Sequence, residues 1–264
     1  MNQLCKPLQR SILSLTVTIF AFGIGAPTIV SALDNTTTKV GSGTAKISSF
    51  CTKLPTTITT IDANFSSRIT KLANARVSAD QKHAANKTKW DSEIAANRAM
   101  WDQKRQTNFT KLEAKGTDAT KTTAIKAYEA SITGAVDSMR IANSQARETY
   151  RIAATNAMTS QRSTVDKQLA TFQTAVIAAE STAQANCQAT PNDGSSIRIV
   201  FQAALKSARE AFTSDRKIDT GLSVQLKQLG QVRDSAFKTS SATYKAAAKT
   251  ARTTLQLAFG TAKV

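Results

Sequence analysis

The sequence lacks most of the side chains that enzymes use for catalysis. It has one histidine, His83, among 264 residues, and no Cys/His cluster has the spacing of metal ligands. No GxxxxGK[ST] or GxGxxG run is present, so the common phosphate-binding loops are excluded. Carboxylates such as Asp91 and Glu129 fall on predicted exposed helices, where we expect ordinary surface charges. These absences predict that the protein is not an enzyme and that it uses no metal or cofactor.

Large apolar side chains are also scarce, and acids are unevenly spread. Aromatic residues make up only 6% of the chain, which leaves little material for a deep globular core. Alanine-rich faces, which are frequent here, instead allow close contact between neighbouring helices. The net charge is +17, and no acidic residue follows Asp234. The composition therefore predicts an all-α protein with a strongly basic surface.

An eleven-residue spacing recurs in all three parts of the chain that we predict to be helical. It relates Trp90 to Trp101, Tyr128 to Met139, and Lys238 to Lys249. Eleven residues are close to three helical turns, and this period gives straight or slightly right-handed packing. Short loops make neighbouring helices antiparallel. We therefore predict an elongated antiparallel three-helix bundle, a coiled-coil-like rod, over residues 55–264.

The predicted helices span about 55–115, 118–187 and 195–262. Pro55 suits a first helical turn. Gly116 is expected to take the left-handed conformation that ends a helix, and Thr117 or Asp118 to cap the next one.

The third helix is predicted to begin at a cap formed by Asp193 or Ser195. Gly221 and Gly230 weaken its middle by about 1 kcal/mol each relative to alanine. Because the phase of the basic residues continues past both glycines, we predict one unbroken helix.

The first 32 residues have the layout of a secretory signal peptide. An apolar stretch, Ser11 to Ala26, follows Lys6 and Arg10, and small residues around Ala32 suit cleavage. Residues 33–54 are rich in Thr, Ser and Gly and are predicted to form a flexible leader. These features predict an extracytoplasmic protein that is secreted, periplasmic or at the cell surface. A retained N-terminal membrane anchor is the alternative.

Two cysteines, Cys51 and Cys187, remain after the predicted cleavage. An even pair in an exported chain predicts a disulfide. If residues 51–54 are extended, a hairpin turning near residue 116 brings the two cysteines to the same level. Unpaired thiols in a reducing compartment are the alternative.

The basic residues of the third predicted helix lie on one side of it. Wound at about 100° per residue, eleven of the twelve from Arg198 onward lie within roughly 60° of Lys238, and Arg233 is the exception. The candidate anion-binding residues are Arg216, Lys227, Lys238, Lys245, Lys249 and Arg252. Such a stripe attracts polyanions: cell-wall polymer, an anionic membrane surface or, without sequence specificity, nucleic acid. A solubilising helix face is the alternative.

Two functions fit these features. The first is a structural or interaction protein whose basic helix edge contacts anionic surface or wall components. The second is a periplasmic holdase, because a basic surface with long helical arms is similar in outline to the Skp family of outer-membrane chaperones, although this chain has a third helix. A holdase requires exposed apolar arm tips, here Phe109–Leu112 and Ile125–Tyr128. A protein partner or self-association is compatible with both functions.

Overall fold

The computed structural model describes residues 47–218 and 221–260, without the side chains of 216–218. In these ranges the chain forms four helices and no strand: α1 (Ser49–Glu113), α2 (Ala119–Ala189), α3 (Gly194–Ile218) and α4 (Gly221–Ala258). The predicted all-α class is confirmed. The predicted signal peptide and most of the leader lie outside the described residues.

The first helix begins earlier than the sequence predicted. The Ser48 side chain caps α1 by accepting a hydrogen bond from the Cys51 amide at 3.2 Å, and the Ser48 amide donates to the Pro191 carbonyl at 2.7 Å. Pro55 thus lies inside the helix, where its missing N–H costs one backbone hydrogen bond. Burial of Leu54 next to it, to 1% exposure, helps to offset that cost. The prediction of an extended segment 51–54 was wrong because these tertiary contacts favour the helix.

The turn between α1 and α2 uses one predicted cap and departs from another prediction. Of the two candidate caps, Asp118 is the one used: its Oδ1 accepts from the Lys121 amide at 2.8 Å. Gly116 is not left-handed, since among the described residues only Gly260 has a positive φ. Glycine instead allows a close approach, because a Cβ at residue 116 would lie 3.0 Å from Thr122 Oγ1.

The structure describes the third predicted helix in two parts, α3 and α4. Residues 219–220 between them lie outside the described residues, so the continuity of the helix stays a prediction. α4 begins at Gly221, a residue that costs about 1 kcal/mol relative to alanine inside a helix. Its end is also earlier than predicted, at Ala258, and the left-handed Gly260 follows with φ 72°.

α3 and α4 nevertheless lie along α2 in a single antiparallel register. The ring of Phe172 lies 5.4 Å from that of Phe212 on α3, and Asn143 accepts a hydrogen bond from Ser240 on α4 at 2.6 Å. On α2, Phe172 and Asn143 are 29 residues apart, and their partners Phe212 on α3 and Ser240 on α4 are 28 residues apart in the opposite direction. α3 and α4 therefore follow α2 in nearly the same register.

Some of the buried residues form two clusters at opposite ends of the α1–α2 hairpin. The first contains Phe50, Leu54, Ala179, Ala183, Ile197 and Phe201. The second contains Phe109, Ile132, Val136 and Ala251. Between Leu54 and Phe109, α1 has no buried residue, and Trp101 on its predicted apolar face remains 43% exposed. α1 therefore has fully buried side chains only near its two ends, and between them Phe65 contacts Phe172 of α2 with the ring centroids 6.0 Å apart.

The predicted disulfide is present at the first cluster. Cys51 on α1 is bonded to Cys187 on α2, with their Cα atoms 5.4 Å apart. The bridge closes a loop of 136 residues. None of the described helices is long and apolar enough to cross a membrane.

Candidate functional site

Five of the six candidate anion-binding residues form one exposed row on α4, which we call the basic edge. The basic edge consists of Lys227, Lys238, Lys245, Lys249 and Arg252. Within the described ranges, the side chains of these five residues make no hydrogen bond and no ion pair. The sixth candidate, Arg216, has a side chain outside the described residues.

The basic edge faces solvent because the opposite side of α4 packs on the rest of the protein. The buried residues Leu226, Ala251 and Leu255 lie on a side roughly 120° away from Lys238 at 100° per residue. At 1.5 Å per residue, the edge runs about 38 Å from Lys227 to Arg252. Its side chains are therefore available to a partner along the length of α4.

The nearest acid in the sequence does not neutralise the basic edge. Asp234 accepts from the guanidinium of Arg233 at 2.7 Å. Arg233 also stacks on Tyr150 of α2, with its guanidinium carbon 4.8 Å from the ring centroid. Arg233, the one basic residue outside the predicted stripe, therefore packs towards α2. It also forms an ion pair with Asp234, the last acidic residue in the sequence.

The stripe is less exposed on α3 than the sequence indicated. The Nε atoms of Arg198 and Arg209 are buried and have no hydrogen-bond partner. Lys206 lies 3.8 Å from Glu210 of the same helix. Within the predicted stripe, the exposed and unpaired positive charge is therefore mainly on α4.

A ladder of ion pairs joins α1 to α2. Each rung pairs an aspartate of α1 with an arginine of α2: Asp80–Arg162, Asp91–Arg151 and Asp102–Arg140. Successive rungs are eleven residues apart on both helices, which run in opposite directions. A hydrogen bond from its arginine lowers the pKa of each aspartate.

The ladder corrects the prediction that Asp91 is an ordinary surface charge. It holds the register of α1 along the stretch where α1 has no buried residue. Exposed pairs of this kind contribute little stability each, so their main effect is on alignment. The sequence contained a signal for the ladder, because the aspartates of α1 and the arginines of α2 share the same eleven-residue spacing.

Two glutamates of α2 lie outside the ladder, in apolar surroundings with a like charge nearby. Glu180 is only 6% exposed and its Oε1 has no hydrogen-bond partner. Burial, and then the charge of Asp62 on α1, raise its pKa to about 7. Burial and the charge of Glu113 also raise the pKa of Glu129. Sequence reasoning missed Glu180 and expected Glu129 to be a surface charge.

These acids do not form a metal centre. Across the part of the chain that the structure describes, no group of three or more His, Cys, Asp or Glu side chains is placed to hold a metal ion.

The apolar arm tips that a holdase requires are covered. Ile125 is 1% exposed and Phe109 is 8% exposed. The ring of Phe109 contacts that of Tyr128 edge to face, with the centroids 6.2 Å apart. Phe109 belongs to the second cluster and Tyr128 packs against it, while Ile125 is buried near Gly116 in the turn between α1 and α2.

Comparison of the chain with family models, curated proteins and solved structures found no match. The functional argument therefore depends on the chemistry of the surfaces described above.

Proposed function

We propose that this protein is an exported helical structural or interaction protein whose basic edge binds anionic polymers or surfaces outside the cytoplasm. The partner class is a polyanion: an acidic wall polymer, an anionic membrane surface or nucleic acid bound without sequence specificity. The layout of residues 1–32 supports the location, and the net charge of +17 supports the class of partner.

One contrast carries this proposal. The three arginines of the ladder each bind an aspartate, whereas the five cations of the basic edge have no carboxylate partner within the described residues. Unpaired, exposed cations in a row release counterions when they meet a chain of negative charges, and this drives binding. The basic edge therefore offers unpaired positive charge to a polyanion, in a part of the chain that has no acidic residue after Asp234.

The proposal includes an architecture. α3 and α4 act as one pass along α2, so that three antiparallel passes form an elongated, coiled-coil-like rod with an eleven-residue period. The shared register of α3 and α4 on α2 supports this arrangement. In such a rod the basic edge is nearly straight, because an eleven-residue period gives little supercoil.

Binding to separate ligands across a salt series tests the proposal. Purified protein would be assayed against duplex DNA, anionic vesicles and acidic wall polymer, and compared with a variant in which Lys238, Lys245, Lys249 and Arg252 are changed to Gln. Four phosphate contacts on duplex DNA predict a loss of about a hundredfold in affinity between about 50 and about 200 mM salt. The variant should bind weakly and lose most of this salt dependence.

A matched control removes the same charge from α1. Lys71, Lys82, Lys89 and Lys111 are exposed and make no ion pair with a described residue, so their change to Gln gives equal net charge. This control should keep most of the binding. Equal losses in both variants would show that net charge alone matters, and unchanged binding in the first variant would exclude the basic edge.

A further inference from the structure

Two arginines at the interface of α1 and α2 donate hydrogen bonds to the same serine hydroxyl and not to a carboxylate. Arg98 of α1 donates to Ser144 Oγ at 2.9 Å, and Arg147 of α2 donates to the same oxygen at 3.4 Å. Neither guanidinium makes an ion pair with a carboxylate of the described residues. At this level the ladder has two positive charges and no negative one.

We propose that Arg98, Ser144 and Arg147 form a binding site for a tetrahedral oxyanion, the phosphate group of a small ligand. The site lies between the rungs Asp91–Arg151 and Asp102–Arg140, and it is separate from the basic edge. The bound anion would supply the negative charge that an aspartate of α1 supplies at the neighbouring rungs. The proposal does not depend on the function proposed for the basic edge.

The neighbouring side chains leave this charge uncompensated. Burial, and then the fields of Arg98 and Arg151, lower the pKa of Arg147. Asp91 partly offsets these fields, but its carboxylate already binds Arg151 and lies 3.2 Å from Lys87. An anion placed between Arg98 and Arg147 removes a repulsion that the protein otherwise retains.

The geometry supplies the donors that a phosphate group needs. Each guanidinium presents several N–H groups in a plane that suits phosphate oxygens. Ser144 accepts from both arginines and donates to no described group, so its hydroxyl proton is free for an anion. A divalent phosphate matches the two positive charges.

The surroundings hold the donors in place and keep the site accessible. The Arg147 guanidinium lies over the Phe237 ring of α4, 5.7 Å from its centroid. The Arg98 backbone carbonyl accepts from Arg140 at 3.4 Å. Arg98, Ser144 and Arg147 are all half-buried, so they are partly desolvated but reachable by a small ion.

Calorimetric titration of the full-length protein with inorganic phosphate, in chloride buffer of constant ionic strength, tests the site. We expect saturable binding of one phosphate. Changing Arg98 to Gln should weaken it at least about tenfold, because a charge-assisted donor is lost. The Arg98→Lys variant keeps the positive charge but loses the planar guanidinium. Its affinity for phosphate should lie between that of wild type and that of Arg98→Gln.

A second readout keeps the test valid if a variant is less stable. The melting temperature of each protein is measured in phosphate and in chloride of equal ionic strength, and only the difference is compared. Wild type and the exposed α1 control Lys89→Gln should both gain stability in phosphate, whereas Arg98→Gln and Arg147→Gln should not. Equal gains in all four proteins, or no gain in wild type, would overturn the proposal.

Two further ligands define the chemistry. Glycerol 3-phosphate should compete with inorganic phosphate, because the proposed ligand is a small molecule that carries a phosphate group. Failure to compete would overturn the proposed class of ligand. Acetate as effective as phosphate would overturn the assignment to a tetrahedral anion.

Discussion

Replacing the buried acid Glu180 by Gln is expected to stabilise the protein at neutral and alkaline pH. Burial first, and then the charge of Asp62, raise the pKa of Glu180 from its ordinary value of 4.5 to about 7. Between these two pH values the native state keeps a proton that the unfolded state has lost. Stability therefore falls as the pH rises through this window, and it stays reduced above about pH 7.

The size of the effect follows from the shift in pKa. One pKa unit corresponds to about 1.36 kcal/mol, so ionisation of Glu180 lowers the free energy of unfolding by about 3 kcal/mol at most. Glutamine cannot ionise and does not suffer this loss. For a protein of this size each kcal/mol changes the melting temperature by about 2–4 °C, so the variant should melt several degrees higher near about pH 8.

Thermal unfolding followed by circular dichroism across about pH 4.5 to 8.5 measures this difference. The two proteins should melt alike at the acidic end and separate as the pH rises. The variant keeps a smaller pH dependence, because the pKa of Glu129 is also raised. The exposed Glu93→Gln change is the control and should have no such effect. A Glu180→Gln variant that is less stable than wild type near about pH 8 would refute the reasoning.

The remaining predictions concern the disulfide end and the glycines. Changing Gly194 to Ala should destabilise the protein by about 1–3 kcal/mol in chemical denaturation, because the new Cβ would lie 2.0 Å from Ser48 Oγ. Gly230→Ala is the matched change, with no atom within 4 Å of its Cβ, and should stabilise α4 by up to about 1 kcal/mol; two equal effects would contradict the packing argument. Changing Cys51 and Cys187 to Ser should cost about 4–5 kcal/mol by loss of a cross-link over 136 residues. A loss below about 1 kcal/mol would show that the two clusters alone hold this end together.

Helical class and surface charge were readable from the sequence because both depend on local periodicity. The spacing of Lys227, Lys238 and Lys249 places them on one side of any helix that contains them. Their exposure in the structure follows from that placement. The disulfide was predictable because Cys51 and Cys187 are the only two cysteines after residue 32.

The ladder and the phosphate site required the register between helices. Eleven-residue rows of Asp on α1 and Arg on α2 are visible in the sequence. Which aspartate meets which arginine depends on how far α1 slides along α2, and the turn and the two buried clusters set that distance. The same register brings Arg98 level with Ser144, where no acid is present.

By itself the sequence determined the all-α class, the cysteine pair and the row of cations on the last helix, because these follow from residue type and spacing along the chain. Only the tertiary structure decided where α1 begins, which charges are paired and that Glu180 is buried. Each of these depends on a neighbour far away in the sequence: Pro191 for Ser48, Asp91 for Arg151 and Asp62 for Glu180. A helical period specifies which face a residue lies on, but not what covers that face.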